Sequence, residues 1–188
     1  EFLNQPQVSG NDEEQRFREA PTYLGGDAAA QAVGRYRLLR VLGEGAFGRV
    51  YLGLDEELQR QVAIKVPTAE RFRKPEDAEQ YLEEARNVAR LDHPNIVPVY
   101  DTGRTDDGSI YVVSKFIKGG TLEDRVRNDR PDDRESAGLL ATIALALHHA
   151  HERRLIHRDI KPANLLIEEQ TNTPYVADFG LAIREEDI

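Results

Sequence analysis

The chain has 188 residues, of which 39% are hydrophobic and 31% charged, and a formal net charge of −9, values typical of one soluble globular domain. The acidic balance argues against a general nucleic-acid-binding protein, which normally presents a basic surface. The absence of cysteine excludes disulfides and thiolate metal sites. No apolar run approaches the ~18 residues that a membrane-spanning helix needs, so we expect no membrane segment in this chain.

Residues 1–34 show no sustained hydrophobic periodicity. They contain eight charged residues, the Gly25-Gly26 pair and an alanine-rich patch. This composition predicts a disordered acidic leader or linker. Because the sequence contains no methionine, residue 1 is not an initiator, and we expect the chain to be part of a longer protein.

The part of the chain that follows predicts an antiparallel sheet with one helix. Five runs have the β-branched, aromatic and alternating character of strands. These runs lie at 36–42, 47–54, 62–66, 97–102 and 109–114. A proline followed by two acids predicts a helix start at Pro75, and the helix should end near Leu91, before Asp92-His93-Pro94.

The second half predicts mostly helix, which makes the fold class α+β in two lobes. A capping box at 121–124 predicts the start of a short helix, and a long helix is predicted from Glu135 to about Arg153. The long helix is mostly apolar, and five of its residues are predicted to be buried. They are Leu139, Leu140, Ile143, Ala144 and Leu147. Two short strands are predicted at 165–167 and 174–177.

A glycine-rich stretch, GEGAFGRV at 43–50, joins the first two predicted strands. Its glycine spacing also occurs in dinucleotide sites, but there the chain enters a helix after the last glycine. Here the chain continues as Val50-Tyr51-Leu52, which predicts a strand. The pattern therefore favours a flap over phosphates, and an ordinary hairpin turn is the alternative.

Lys65 ends an apolar strand, where it could extend to solvent or point inward to neutralise phosphate charge. An inward lysine requires an acidic partner. Glu84 shares the apolar stripe of the predicted helix with Tyr81 and Val88, whereas Glu83 lies on a solvated stripe. Since an inward carboxylate is costly unless it is paired, we expect Glu84 to pair with Lys65.

Two further motifs carry oxygen ligands, the stretch LIHRDIKPANLL at 155–166 and Asp178-Phe179-Gly180. The side-chain oxygens of Asn164 and Asp178 suit Mg²⁺ bound to a triphosphate. Asp159 would then be available to accept a proton from an attacking hydroxyl. Taken alone, each motif also fits a turn, a helix cap or a surface ion.

These motifs occur together in one order, and from Tyr36 to Ile188 the chain resembles the eukaryotic-type protein kinases, in particular their bacterial serine/threonine members. The resemblance implies a two-lobed fold, with an antiparallel N-lobe sheet and one key helix at 35–114. The hinge and an incomplete helical C-lobe would occupy 115–188. It also implies ATP and Mg²⁺ as cofactors and transfer of the γ-phosphate to a protein serine or threonine.

The resemblance assigns roles to individual residues. The residues that would contact ATP are Leu42, Gly43, Gly45, Gly48, Val50, Ala63, Lys65, Ser114, Lys115 and Ile117. The catalytic residues would be Lys65, Glu84, Asp159 as the base and Lys161 at the γ-phosphate. Asn164 and Asp178 would be the Mg²⁺ ligands. Arg158 would contact a phosphate on the activation segment.

Two residues at the expected hinge depart from the family pattern. Lys115 replaces an acid that is usual there, which should matter little because the hinge acts through its backbone. Ser114 stands where a bulky residue is usual. We expect it to leave a pocket behind the adenine that admits ATP analogues with large N6 substituents.

The resemblance also implies cellular context. It predicts a cytoplasmic kinase that acts on a protein substrate with a serine or threonine acceptor and binds no nucleic acid. The longer parent protein could be membrane-anchored outside this chain and could dimerise through its N-lobe. Because the chain ends soon after Asp178, we expect these 188 residues alone to phosphorylate little or nothing. The alternative is a pseudokinase-like module that binds nucleotide or a partner without phosphotransfer.

Overall fold

The computed structural model describes residues 32–45, 48–72, 74–105 and 107–179. Its larger sheet contains β1 (Ala32–Val33), β2 (Tyr36–Gly45), β3 (Gly48–Asp55), β4 (Arg60–Val66), β5 (Val99–Arg104) and β6 (Ile110–Lys115). The order in the sheet is β1-β2-β3-β4-β6-β5, with every neighbouring pair antiparallel. The five predicted strands correspond to β2–β6. Residues 1–31 of the predicted leader lie outside the described residues, and its end at Ala32–Val33 forms β1.

A smaller antiparallel sheet follows in the second half of the chain. It consists of β7 (Gly119–Thr121), β8 (Leu165–Glu168) and β9 (Pro174–Val176), in the order β7-β8-β9. The chain between β7 and β8 forms two helices and the loop that contains Asp159. The two predicted short strands correspond to β8 and β9.

Three α-helices complete the described fold: α1 (Pro75–Val88), α2 (Leu122–Asn128) and α3 (Asp133–Glu152). Helix α2 starts with the predicted capping box, in which Thr121 Oγ1 accepts the Asp124 N–H at 3.0 Å. Helix α3 starts two residues before the predicted Glu135, because the Asp132 carboxylate caps it by accepting the Glu135 N–H at 2.8 Å. None of the described helices is long and apolar enough to cross a membrane.

The larger sheet has apolar side chains on both faces, and the two-residue period of its strands decides which face each one joins. Ile64 and Val113, both fully buried, belong to a cluster on one face together with Tyr36. Val112 lies on the other face and packs with Tyr81 of α1. Helix α1 is therefore held against the sheet by its apolar stripe, as the sequence pattern predicts.

The burial predicted for α3 is only partly right. Leu139 and Ile143 are buried, but Leu140 is 60% exposed and Ala144 is also exposed, while Leu147 is half-buried. The buried stripe is completed by two small residues further along the helix, Ala146 and Ala150. Because α3 is apolar on more than one side, its periodicity does not select a face, and packing against β9 does.

The two sheets are joined through the backbone at Ile96 and Val176, which form an isolated parallel bridge. Val97 donates its N–H to Val176 O at 2.9 Å, and Val176 donates its own N–H to Asn95 O at 2.8 Å. The Asn95 side chain adds a bond from Nδ2 to Pro174 O at 2.9 Å. These bonds fix β9 against the segment that leads into β5.

Truncating a core side chain of the larger sheet should destabilise the protein strongly. We expect Ile64→Ala to lower the free energy of unfolding by about 3 kcal/mol, because it removes three buried carbons and leaves a cavity. Leu58→Ala is the matched control, since Leu58 is 57% exposed in the β3–β4 turn. Urea unfolding measures both, and equal losses for the two variants would contradict the described packing.

Candidate active site

A cleft of about 400 Å³ lies between the two sheets and collects most of the predicted nucleotide-binding residues. Those that line it are Leu42, Gly43, Val50, Ala63, Lys65, Ser114, Lys115 and Ile117. The predicted metal ligands Asn164 and Asp178 line the same cleft. Gly45 and Gly48 are not part of this lining and face each other at the tip of the β2–β3 hairpin. Residues 46 and 47 of the glycine-rich stretch lie outside the described residues.

The register of the strands explains how the larger sheet forms one wall of the cleft. Val50 pairs with Lys65 across β3 and β4, and Ala63 pairs with Ser114 across β4 and β6. Residues two apart on a strand share a face, so Lys65 and Ala63 point to the same side. The ammonium group of Lys65 therefore lies next to the apolar side chains of this wall. These apolar side chains suit a planar base.

Sequence reasoning missed much of the remaining lining. Aliphatic and aromatic side chains make up most of it: Val88, Val97, Val99, Val112, Phe116, Leu166, Val176 and Phe179. The strand alternation in 110–115 was the available signal, because it places Val112 on the face of Ser114. Thr121 and Asp124 add polar groups at the edge of the cleft next to α2.

Asp159 and Asn164 are held together in a short loop that ends in a 3₁₀ turn at Pro162–Asn164. Asn164 Nδ2 donates to Asp159 O at 2.8 Å and to Asp159 Oδ2 at 2.9 Å. Lys161 Nζ lies 2.7 Å from the same Oδ2. The hydrogen bond from Lys161, followed by that from Asn164, holds the pKa of Asp159 below its ordinary value. Asp159 is therefore an ionised carboxylate at neutral pH.

The side chain of His157 holds this loop in place. Sequence reasoning did not assign this role to His157, although it stands two residues before Asp159. Its side chain is buried, and its Nδ1 accepts the Asp159 N–H at 3.3 Å. Nε2 must then carry the proton, which it donates to Ala177 O at 2.8 Å. The ring also lies 4.7 Å from that of Phe179. Burial lowers the pKa of His157, so the neutral form fits these contacts.

The charged groups at the end of the cleft are paired differently from the prediction. Lys65 Nζ lies 2.9 Å from Asp178 Oδ2, and Glu84 Oε1 lies 3.3 Å from Arg158 Nη1. These two pairs replace the predicted ion pair between Lys65 and Glu84. The choice of Glu84 over Glu83 agrees with the structure, because Glu84 is half-buried and Glu83 is exposed.

Asp178 is brought to Lys65 by the backbone that follows β9. Ala177 donates its N–H to Asn164 O at 2.9 Å, and its carbonyl oxygen accepts a hydrogen bond from His157 Nε2. Asp178 itself has φ 57°, in the left-handed region that non-glycine residues adopt when their surroundings enforce it. Asn164 and Asp178 thus present an amide and a carboxylate to one end of the cleft, a donor set that suits Mg²⁺ when phosphate oxygens supply the remaining ligands.

Comparison with known proteins identifies the family. The model of the protein kinase domain family matches residues 36–187. The chain belongs to the protein kinase family. Serine/threonine-protein kinase PrkC of Bacillus subtilis is 40% identical over 150 residues, which cover 79% of this chain and 23% of that protein. Serine/threonine-protein kinase PknB of Mycobacterium tuberculosis is 41% identical over 152 residues, covering 79% of this chain and 24% of that protein.

Solved kinase domains support the same assignment. The kinase domain of Mycobacterium tuberculosis PknI has a TM-score of 0.73 and 30% identity, covering 84% of this chain and 62% of that chain. The predicted resemblance to bacterial members of the family and the predicted kinase-like α+β fold are confirmed. The chain spans about a quarter of the length of the curated relatives that it matches.

The protonation state of His157 makes stability depend on pH. The unfolded chain takes up a proton near the ordinary histidine pKa of about 6.5, whereas folded His157 stays neutral to lower pH. Unfolding therefore becomes easier as pH falls through that value. Between pH 7.5 and 5.5 we expect His157 to account for about 1 kcal/mol of the lost stability.

Denaturant unfolding at the two pH values tests this assignment. His157→Gln should be less stable at pH 7.5 but should lose less stability on acidification than the wild type. His151→Gln, a change at an exposed position of α3, serves as the control and should keep the wild-type pH dependence. An unchanged pH dependence in His157→Gln would show that His157 is not held neutral.

Proposed function

We propose that the protein is an ATP-dependent protein serine/threonine kinase. The observation that carries this proposal is the convergence of Lys65, Asn164 and Asp178 at one end of an apolar cleft, with the carboxylate of Asp159 bonded to Asn164. The names of the relatives PrkC and PknB support the same activity. No described residue favours the pseudokinase-like alternative, since Lys65, Asp159, Asn164 and Asp178 are all present.

ATP would lie along the cleft with its base at the apolar end. Val50 and Ala63 would cover one face of the adenine and Leu166 the other, while hinge backbone groups at 115–117 would bond its edge. The triphosphate would then reach Lys65, whose ammonium would neutralise phosphate charge. Asp124 and Thr121 would lie near the ribose, because they line the cleft between these two ends.

Asn164 and Asp178 would hold Mg²⁺, whose positive charge would offset the negative charge that develops on the phosphate oxygens. For Asp178 this role requires release from Lys65, to which it is bonded in the described structure. For Asn164 it uses the side-chain oxygen, because Nδ2 already donates to Asp159. The bond to Asp159 thus orients the amide with its oxygen available to the metal.

Asp159 would position and deprotonate the acceptor hydroxyl. The serine or threonine oxygen forms a bond to the γ-phosphorus, and the bond from that phosphorus to the β,γ-bridging oxygen breaks. ADP leaves with the electron pair of the broken bond, and the hydroxyl proton passes to the Asp159 carboxylate. Lys161, 2.7 Å from Asp159, is close enough to contact the transferred phosphoryl group at the same time.

Further parts of the proposal concern the surroundings of the site. We infer that residues 35–114 and 115–188 act as two lobes around the cleft and that the protein works in the cytoplasm, where ATP is supplied. The protein substrate would enter from the side of Asp159. Anchoring of the parent protein to a membrane and its dimerisation through the N-lobe are part of the same proposal.

Phosphate transfer from radiolabelled ATP tests the activity. A longer natural protein that includes this chain should label serine or threonine residues of casein, and Asp159→Asn should lower the rate by roughly 100-fold or more. The control is Asp133→Asn, on the exposed first turn of α3. Labelling that survives Asp159→Asn would contradict the role of the base.

For the 188-residue chain we expect Mg-ATP, but not NAD, to raise the melting temperature.

The small side chain of Ser114 should determine which nucleotides are accepted. Ser114 lies near the end of β6 in the cleft, and Val99, Val112 and Phe179 belong to the same lining. We expect ATP analogues with a benzyl group on N6 to bind with affinity close to that of ATP. Ser114→Phe should fill this space and weaken analogue binding by at least about tenfold, with little effect on ATP, because overpacking is costly. Equal analogue affinity in both proteins, measured by calorimetry, would contradict the pocket.

A further inference from the structure

Tyr81 of α1 is a buried tyrosine that packs between the helix and the larger sheet. Its exposed fraction is 1%, and it belongs to the cluster of Ala85 and Val112. The ring of Phe72 lies edge-on to it, with 5.6 Å between the ring centroids. The guanidinium carbon of Arg71 lies 5.4 Å from the centroid of the Tyr81 ring. These contacts fix the position of the ring and, with it, the position of the hydroxyl.

The Tyr81 hydroxyl is buried but has no hydrogen-bond partner among the described residues. A buried hydroxyl without a partner costs stability, because it has lost its bonds to water and gained none within the protein. Phenylalanine would fill the same space without this cost. The contacts described for Tyr81 therefore favour phenylalanine over tyrosine, and the hydroxyl calls for a partner that it meets at another stage of the reaction.

Strand register brings Tyr81 to the same end of the cleft as Asp178. Val112, which packs with Tyr81 and lines the cleft, is the direct cross-strand partner of Lys65. The side chains of directly paired residues lie on the same face of a sheet, so Val112 and Lys65 share the face that α1 covers. Lys65 Nζ in turn lies 2.9 Å from Asp178 Oδ2. Tyr81 and Asp178 thus approach the same end of the cleft, one from α1 and the other from β9.

The electrostatics of the site identify Asp178 as the nearby acceptor. Burial raises the pKa of Tyr81, and among its charged neighbours Asp178 adds most to this rise, whereas Arg71 opposes it and Glu84 adds less. The hydroxyl therefore keeps its proton at neutral pH and can donate it in a hydrogen bond. Because the effect of a charge grows as the distance to it falls, the Asp178 carboxylate lies near the Tyr81 hydroxyl.

We propose that Tyr81 is a positioning residue for the metal site, whose hydroxyl donates a hydrogen bond to the Asp178 carboxylate when Mg-ATP is bound. The inference rests on the proposed function. Mg-ATP would draw Lys65 to the phosphates and so remove the present partner of Asp178. A carboxylate that binds a metal is itself oriented by hydrogen bonds, and such a donor strengthens metal binding. Tyr81 would supply this donor from the interior of the protein.

Calorimetry on the 188-residue chain separates metal binding from nucleotide binding. We expect Tyr81→Phe to bind Mg-ATP about tenfold more weakly than the wild type, because a metal site loses affinity on this scale when a hydrogen bond to one of its ligands is removed. The affinity for ATP in EDTA should be unchanged, since no metal is then bound. The matched control is Tyr111→Phe, which should keep both wild-type affinities. Tyr111 is also buried, but it packs with Tyr36 on the other face of the sheet.

Double mutants identify the partner of the hydroxyl. In the Asp178→Asn background, Tyr81→Phe should lower the affinity for Mg-ATP no further, because the carboxylate that it orients is gone. In the Glu84→Gln background, Tyr81→Phe should keep its full effect of about tenfold. The reverse pattern would assign the hydroxyl to Glu84 and overturn the inference.

Urea unfolding without nucleotide provides a readout that does not depend on binding. Tyr81→Phe should be at least as stable as the wild type, because it removes a buried polar group that has no partner. A clearly less stable Tyr81→Phe would show that the hydroxyl is already bonded before the ligand arrives, against the inference. Wild-type affinity of Tyr81→Phe for Mg-ATP, or an equal loss of affinity in EDTA, would also overturn it and leave the proposed function intact. If the wild type itself bound no Mg-ATP, the proposed function would fail, and this role of Tyr81 with it.

Discussion

The backbone bonds between the segment before β5 and strand β9 determine where the functional groups of this domain lie. Val176 is bonded on both sides, by its N–H to Asn95 O and by its C=O to the Val97 N–H. The next residue, Ala177, is bonded to Asn164 and to His157. Asp178 therefore leaves a strand end that is bonded to the segment before β5 and to the loop that contains His157 and Asn164. Without this junction the cleft would have walls, but Lys65, the proposed metal ligands and the proposed base would have no defined positions relative to one another.

Charge balance is the second constraint on the site. The chain as a whole is acidic, with a net charge of −9, yet the proposed substrate carries several negative charges. Among the described residues, three cations at the site are each bonded to a carboxylate: Lys65 to Asp178, Arg158 to Glu84 and Lys161 to Asp159. The site is thus nearly neutral without ligand. Mg²⁺ would compensate much of the negative charge of the triphosphate. Binding of Mg-ATP would then give Lys65 and Asp178 new partners of opposite charge without leaving a large unbalanced charge at the site.

The sequence predicts which residues form the site better than it predicts which of them contact each other. Every proposed phosphate, metal and base residue could be named from short motifs, because each requires a particular residue type at a particular spacing. The inward position of Glu84 also followed from the helical period. Its partner did not, because Lys65 and Arg158 are both suitable cations and only the tertiary position of α1 chooses between them. The exposed face of α3 was missed for a similar reason, since Leu139 and Leu140 are equally apolar and packing alone distinguishes them.

Helix α1 and the cleft share one strand, which ties the position of the helix to the lining of the cleft. Val112 of β6 lines the cleft and also packs in the cluster that holds Tyr81 and Ala85 of α1. Val88 at the end of α1 lines the cleft directly. Directed contacts add to this packing, because α1 is also bonded through Glu84 to Arg158 and through Glu79 to Arg104 of β5.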